Sequence, residues 1–258
     1  MNSSALGATP GACLLLSLAG AAGGFIDAIA GGGGLITVPA LLAAGLPPQI
    51  ALGTNKLQSS CGTLLVVWRY QSAGLMRTPA IGWAVSAALL GSILGASAVS
   101  VLDPRLLRAV IPWMLAALAI YTVLNRSFGV ASRVGRVPPR AFAVGAGLLL
   151  GAYDGFFGPG TGSFWMIACV TLLGLDLRMA TGYTKAANLT SNLGSLAIFL
   201  SHGSIDLGAG AAMIAGQMIG ARLGSGLVLR KGIGLIRPVF LAVVFALTAK
   251  LIWDGFRG

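Results

Sequence analysis

The sequence predicts an all-α polytopic membrane protein made of two inverted-topology repeats, each of about five hydrophobic segments, with broken or re-entrant helices at glycine motifs. Three observations predict it. The chain is 56% hydrophobic and only 9% charged, with a mean hydropathy of +0.89, whereas a soluble domain carries about 25% charged residues. Its apolar residues gather into long runs separated by short basic loops. Its two halves share a set of polar residues at matching positions, which is the sequence mark of an internal repeat.

The segments follow in order. In the first half, apolar stretches lie near 11–30, 35–46, 49–69, 78–102 and 105–125; in the second, near 141–157, 162–175, 180–200, 207–229 and 236–254. A full span needs roughly 20 apolar residues. Most segments reach that length, but the second of each half is short and follows a glycine cluster. Such a piece suits half of a broken helix or a re-entrant hairpin better than a free span. The opening run lacks a basic leader and continues into the glycine motif, so it reads as the first membrane segment and not as a cleaved signal. The expected organisation is a first repeat over 1–125, a basic linker over 126–140 and a second repeat over 141–258.

Charge sets the orientation. The formal net charge is +11, and all six acids are Asp. The bases sit in short loops between apolar runs, which excludes nucleic-acid binding and fits positive-inside insertion beside anionic headgroups. The linker carries Arg126, Arg133, Arg136 and Arg140 with no acid and is assigned to the cytoplasm. Arg69 with Arg77, and Arg230 with Lys231 and Arg237, mark further inside loops. The loop of Asp103, Arg105 and Arg108 and that of His202 and Asp206 then face outside, and both termini lie on the periplasmic side. Equivalent loops thus fall on opposite faces, which makes the repeats inverted. Trp113, Trp253, Tyr70 and Tyr121 lie near segment ends or within spans, and some fit an interfacial aromatic belt. Cys13, Cys61 and Cys169 fall in apolar stretches with no metal or CxxC spacing and read as small buried hydrophobes.

The candidate site comes from residues that a membrane makes costly. The first half reads G-F-I-D-A-I-A-G-G-G-G from Gly24 and G-T-N-K ending at Lys56; the second reads G-A-Y-D-G-F-F-G-P-G-T-G from Gly151 and G-Y-T-K ending at Lys185. Asp27 matches Asp154, and after a two-residue insertion Lys56 matches Lys185. A lysine near the bilayer centre costs about 2.5–3.5 kcal/mol on insertion scales. Each lysine heads a polar helical stripe: Ser59, Ser60 and Thr63 follow Lys56, and Asn188, Asn192 and Ser195 follow Lys185. Such donor-rich faces suit a small oxyanion. The alternative is lysines that snorkel beside stripes that glue helices together, which two lysines at equivalent repeat positions disfavour.

Gly31 to Gly34, and Gly158-Pro159-Gly160-Thr161-Gly162, precede the two short segments. Helix N-termini there would offer unpaired N–H groups to an anion, through Gly32, Gly33, Gly160 and Thr161; tight packing of small residues is the alternative. Asp27 and Asp154 either neutralise a lysine or cap a broken helix end, or one of them takes a proton during transport. His202 reads as a surface residue. Arg222 has no basic mate in the first half and either sits near a helix end or lines an asymmetric site. No Walker loop, dinucleotide fingerprint, HExxH or clustered carboxylate set is present, so neither a cofactor nor catalysis is expected.

With G-G-F-I-D-A-I-A-G-G-G-G-L-I-T-V-P at 23–39, A-L-G-T-N-K at 51–56 and G-Q-M-I-G-A-R-L-G-S at 216–225, the chain resembles the TauE/SafE sulfite exporter family from about residue 12 to 255. In the second copy Pro159 and Thr161 interrupt the glycine run. The resemblance implies transport of sulfur-containing anions such as sulfite, thiosulfate or organosulfonates across a bacterial inner membrane. The reading is therefore a gradient-driven secondary transporter that works by alternating access, with a passive anion channel of the same fold as the alternative. Lys56 and Lys185 would hold the solute's charge, with hydrogen bonds from Asn55, Ser59, Thr184, Asn188 and Asn192. The partners expected are that anion and membrane lipid, in an assembly that allows a homo-oligomer. Cysteines placed at Asp103 and Gly232 should label from opposite sides of the membrane; labelling from one side contradicts the inverted repeat.

Overall fold

The computed structural model describes residues 10–107, 109–111, 113–114 and 135–231 of the chain. Among these, secondary structure is helical throughout, with eight helices described end to end: α1 Pro10–Ala30, α2 Gly34–Ala43, α3 Pro48–Ser72, α4 Ile81–Ser100, α5 Pro139–Phe156, α6 Thr161–Thr171, α7 Leu177–Ser201 and α8 Leu207–Lys231. A further helical stretch that begins at Pro104 is described in part. Most of segment 105–125, segment 236–254, linker residues 126–134, Arg108, Arg237, Tyr121 and Trp253 lie outside the described residues.

Local sequence accounts for the breaks. α1 stops where Gly31 takes φ +75°, and α5 stops before Gly158 at +96°. Both values lie in the left-handed region that glycine enters without a Cβ penalty. α2 and α6, of 10 and 11 residues, restart within a few positions. Pro48 and Pro139 open α3 and α5, where a missing N–H costs nothing. Asp176 caps α7 by accepting from the N–H groups of Arg178 at 2.8 Å and Met179 at 2.9 Å.

Among the described residues, three helices are long and apolar enough to cross a membrane: Pro10–Ala30, Ile81–Ser100 and Leu207–Lys231. Leu14, Leu15, Leu18, Leu90, Leu94 and Leu223 are exposed on them, as lipid-facing positions are. α3 and α7 are as long as α8, at 25 residues each, but carry buried polar stripes. They pack on each other, with α8 beside α3 and α4 beside α7.

The two halves repeat each other's packing reciprocally. α1 of the first half packs on α8 of the second, and α5 of the second packs on α4 of the first. A Cβ on Gly220 would strike Ala21 O, and one on Gly91, its counterpart, would strike Leu148 O, the counterpart of Ala21. A Cβ on Gly53 would strike Ser204 O, and one on Gly182 would strike Leu75 O, again matching positions. Close approach of small-residue faces is how helices associate in lipid, where no hydrophobic force drives them together. Tyr70 is fully buried, and its hydroxyl donates to Ala28 O at 2.8 Å, so this residue belongs to the core and not to an aromatic belt. Trp68, Trp83 and Trp113 are exposed. Cys169 is buried, and Cys13 and Cys61 are half-buried.

Gly220→Val should destabilise the protein by about 1–3 kcal/mol, because its methyls meet backbone and not a movable side chain. Gly145→Ala, where a Cβ meets nothing within 4 Å, should be neutral or slightly stabilising. Thermal unfolding of the two variants in detergent checks the contrast.

Candidate functional site: two crossed ion pairs between the halves

Neither lysine snorkels. Lys56 on α3 and Lys185 on α7 are both buried. Each meets the aspartate of the opposite half: Lys56 Nζ lies 2.8 Å from Asp154 Oδ1, and Lys185 Nζ lies 2.9 Å from Asp27 Oδ2. Asp27 is on α1 and Asp154 on α5, each in the last turn before a glycine break. Of the readings left open for the aspartates, neutralising a lysine is the one this geometry realises. The pairs are crossed, so each half holds one charge of each sign but finds the contact partner for each in the other half. Burial of one ion carries a desolvation cost of several kcal/mol, which attraction offsets only at contact distance with further hydrogen bonds.

Those further bonds are unequal. Lys56 Nζ also donates to Asn192 Oδ1 at 3.2 Å. Thr161 Oγ1 donates to Asp154 Oδ1 at 3.1 Å, and Ser191 Oγ donates to Asp154 Oδ2. At the other pair, no hydroxyl or amide among the described residues donates to the Asp27 carboxylate. The Lys185 contact is close in distance but misaligned as a hydrogen bond, so Nζ has no hydrogen-bond acceptor.

The glycine breaks meet between these pairs. A Cβ on Gly31 would lie 2.6 Å from Gly162 Cα, and one on Gly34 would lie 3.0 Å from Pro159 Cα. The starts of α2 and α6 therefore touch. Gly158 lies against Lys56, 3.0 Å from Nζ to a built Cβ, and Asn188 Nδ2 lies 2.9 Å from one built on Gly162. Backbone N–H groups of Gly32, Gly33 and Gly160 have no acceptor among the described residues.

The remaining expected site residues divide. Asn192 and Thr161 join the Lys56 pair, while Thr184 Oγ1 and Asn188 Oδ1 are buried without a partner. Asn55 is held within the protein: its Oδ1 accepts from Thr37 Oγ1 at 2.6 Å and from Gln58 Nε2 at 2.8 Å, which ties α2 to α3. Ser59 is half-buried and accepts from Gln58 Nε2 at 3.0 Å, and Ser60 bonds back to Lys56 O at 2.7 Å. Ser191, Gln58 and Thr37 escaped the sequence reading; Ser191 sits three residues after Asn188, a spacing that would have found it. His202 is exposed, as expected. Arg222 is exposed too, and its backbone carbonyl accepts from Arg69 Nη1 at 2.6 Å.

An apolar cavity of about 740 Å³ lies between α5 and α6, lined by residues such as Leu149, Leu150, Phe164 and Ile167. It reaches neither lysine, and an oxyanion would lose its hydration there without a compensating donor.

The sequence profile of "Sulfite exporter TauE/SafE" matches residues 16–251. A "Probable membrane transporter protein" of Haemophilus influenzae is 42% identical over 240 residues, covering 93% of this chain and 94% of that one. "Probable membrane transporter protein YfcA" of Escherichia coli K12 is 41% identical over 232 residues, covering 90% and 86%. "Probable membrane transporter protein YdhB" of Bacillus subtilis is 27% identical over 217 residues, covering 82% and 87%. No solved structure matches the chain significantly. The chain belongs to the sulfite exporter TauE/SafE family of membrane transporters.

Asp154→Ala, which leaves the Lys56 ammonium buried and alone, should destabilise the fold by about 3–5 kcal/mol. A fall in the detergent unfolding temperature, or loss of monodisperse protein, checks this; a variant that unfolds with the wild type contradicts the pairing.

Proposed function

From membership of this transporter family, we propose that the protein is a secondary transporter that moves a small sulfur-containing anion, of the sulfite, thiosulfate or organosulfonate type, across the bacterial inner membrane. The observation that carries the reading is the pair of crossed lysine–aspartate contacts buried where the two halves meet. Two lysines and two aspartates form a neutral set. An anion that enters takes an ammonium from its carboxylate, and the donors of Asn188, Asn192, Thr161 and the glycine N–H groups complete its shell. Asn55 and Ser59 accept from Gln58 through oxygen, which leaves the Asn55 amide N–H and the Ser59 O–H to donate to the solute.

Such an exchange changes the contacts between halves, which is what alternating access requires. The halves are inverted repeats, with α2 and α6 entering the membrane as re-entrant half-helices. The linker is cytoplasmic and both termini are periplasmic. Once a lysine turns to the solute, its carboxylate is free to take a proton, which keeps the buried set neutral and supplies a route for coupling to a gradient. No chemistry on the solute is involved, so the protein acts as a carrier and not as an enzyme.

Uptake of labelled sulfite or thiosulfate into proteoliposomes tests the reading. Wild-type protein should show saturable uptake accelerated by solute inside the vesicle, which a channel does not show. Lys56→Ala and Lys185→Ala should each reduce uptake by at least about 100-fold, the range seen when a buried charge contact to a ligand is removed. Unchanged uptake by both variants would remove the lysines from the site, and large unitary currents would favour a channel.

A further inference from the structure

The two ion pairs occupy matching positions but are not built alike, and the difference lies in three residues. At the offset that relates Asp27 to Asp154, Thr161 corresponds to Gly34; at the offset that relates Lys56 to Lys185, Ser191 and Asn192 correspond to Gly62 and Thr63. Every side chain that reinforces the Lys56–Asp154 pair is thus supplied by the second half. In the first half those places hold two glycines and a threonine whose hydroxyl finds no partner. The gap beside Gly62 is filled by Gln217: a Cβ on Gly62 would lie 2.6 Å from Gln217 Nε2. Gln217 corresponds to Ala88, so the filler too exists on one side only.

Three further facts separate the pairs. The Asp27 side chain is 14% exposed and that of Asp154 is 5%. Lys185 Nζ makes no hydrogen bond although it is buried. Thr63 Oγ1, Thr184 Oγ1 and Asn188 Oδ1 are also buried and unpartnered. Unsatisfied buried polar groups are uncommon and call for a missing partner. A buried ion pair with its lone pairs and protons satisfied is strongly opposed to opening, whereas one held by a single misaligned contact is not.

We propose that the Lys185–Asp27 pair is the one that opens, with Lys185 taking the oxyanion beside Thr63, Thr184 and Asn188, while the Lys56–Asp154 pair stays closed as a fixed strut between the halves. This rests on the transporter reading above and narrows it to one of the two lysines. The anion meets an ammonium whose hydrogen-bonding capacity is still unused, so displacing Asp27 sacrifices one contact. At Lys56 it would have to break the ammonium's hydrogen bonds to both Asp154 and Asn192.

The test compares two charge-neutral pair variants, Lys185→Gln/Asp27→Asn and Lys56→Gln/Asp154→Asn, in detergent, with sodium thiosulfate and sodium sulfite as probes and sodium chloride as control. Without probe, the Lys56 pair variant should unfold at the lower temperature or fail to fold. With probe, the Lys185 pair variant should lose the anion-induced rise in unfolding temperature. A third variant, Gly62→Ser/Gln217→Ala, copies the second half's arrangement and gives Asp27 a hydroxyl donor. It should fold and bind thiosulfate at least about tenfold more weakly, the effect of about 1.4 kcal/mol on an equilibrium. Retention of the anion response by the Lys185 pair variant, a reversed order of stability, or unchanged affinity of the third variant overturns the proposal. A wild type that responds to neither sulfur anion overturns the transporter reading itself, and the order of stability then decides alone which pair is the strut.

Discussion

The constraint on which this structure depends is the placing of four charged side chains at the seam, three of them buried, whose opposite charges meet only across the halves. Each half carries an aspartate at the end of its first helix and a lysine early in its third, and each lysine finds its carboxylate in the other half. In a bilayer an unpaired ion is expensive, so the halves are held together by electrostatics at their centre. That makes the seam both a structural requirement and the place where a competing anion has most effect.

The rest of the architecture lets the four groups meet. An aspartate in the last turn of α1 or α5 reaches the opposite lysine only if the helix stops there, and the left-handed glycines at 31 and 158 stop it. The short helices that follow bring Gly31 against Gly162, a contact with no room for side chains. The outer helices are drawn in by small-residue faces, with α1 on α8 and α5 on α4. These contacts are reciprocal, so a residue that matters in one half has a counterpart to compare with in the other. The comparison is informative where it fails, at Gly34, Gly62 and Thr63.

Much of the fold was legible in the sequence because a membrane imposes long apolar runs. Segments read near 11–30, 49–69 and 180–200 appear as α1, α3 and α7 with ends shifted by at most three residues. The short segments were legible from their glycine clusters. The lysines and aspartates were legible as costly residues at matching places, but not which would pair. Pairing depends on how the halves interlock, and spacing along the chain carries no such information. The occupation of Asn55 by Thr37 and Gln58 was hidden for a similar reason: three ordinary polar side chains say nothing about their partners until α2 is laid on α3. That Tyr70 belongs to the core and not to a belt was not legible, because proximity to a segment end does not reveal which way a ring faces.

The crossing of the pairs is tested most directly by rescue in the detergent unfolding temperature. Asp154→Asn strands one ammonium, and removing the right lysine should relieve it. Adding Lys56→Met should restore most of the lost stability, and adding Lys185→Met should lower it further. Equal rescue by the two lysine variants, or rescue by Lys185→Met alone, would contradict the crossed arrangement.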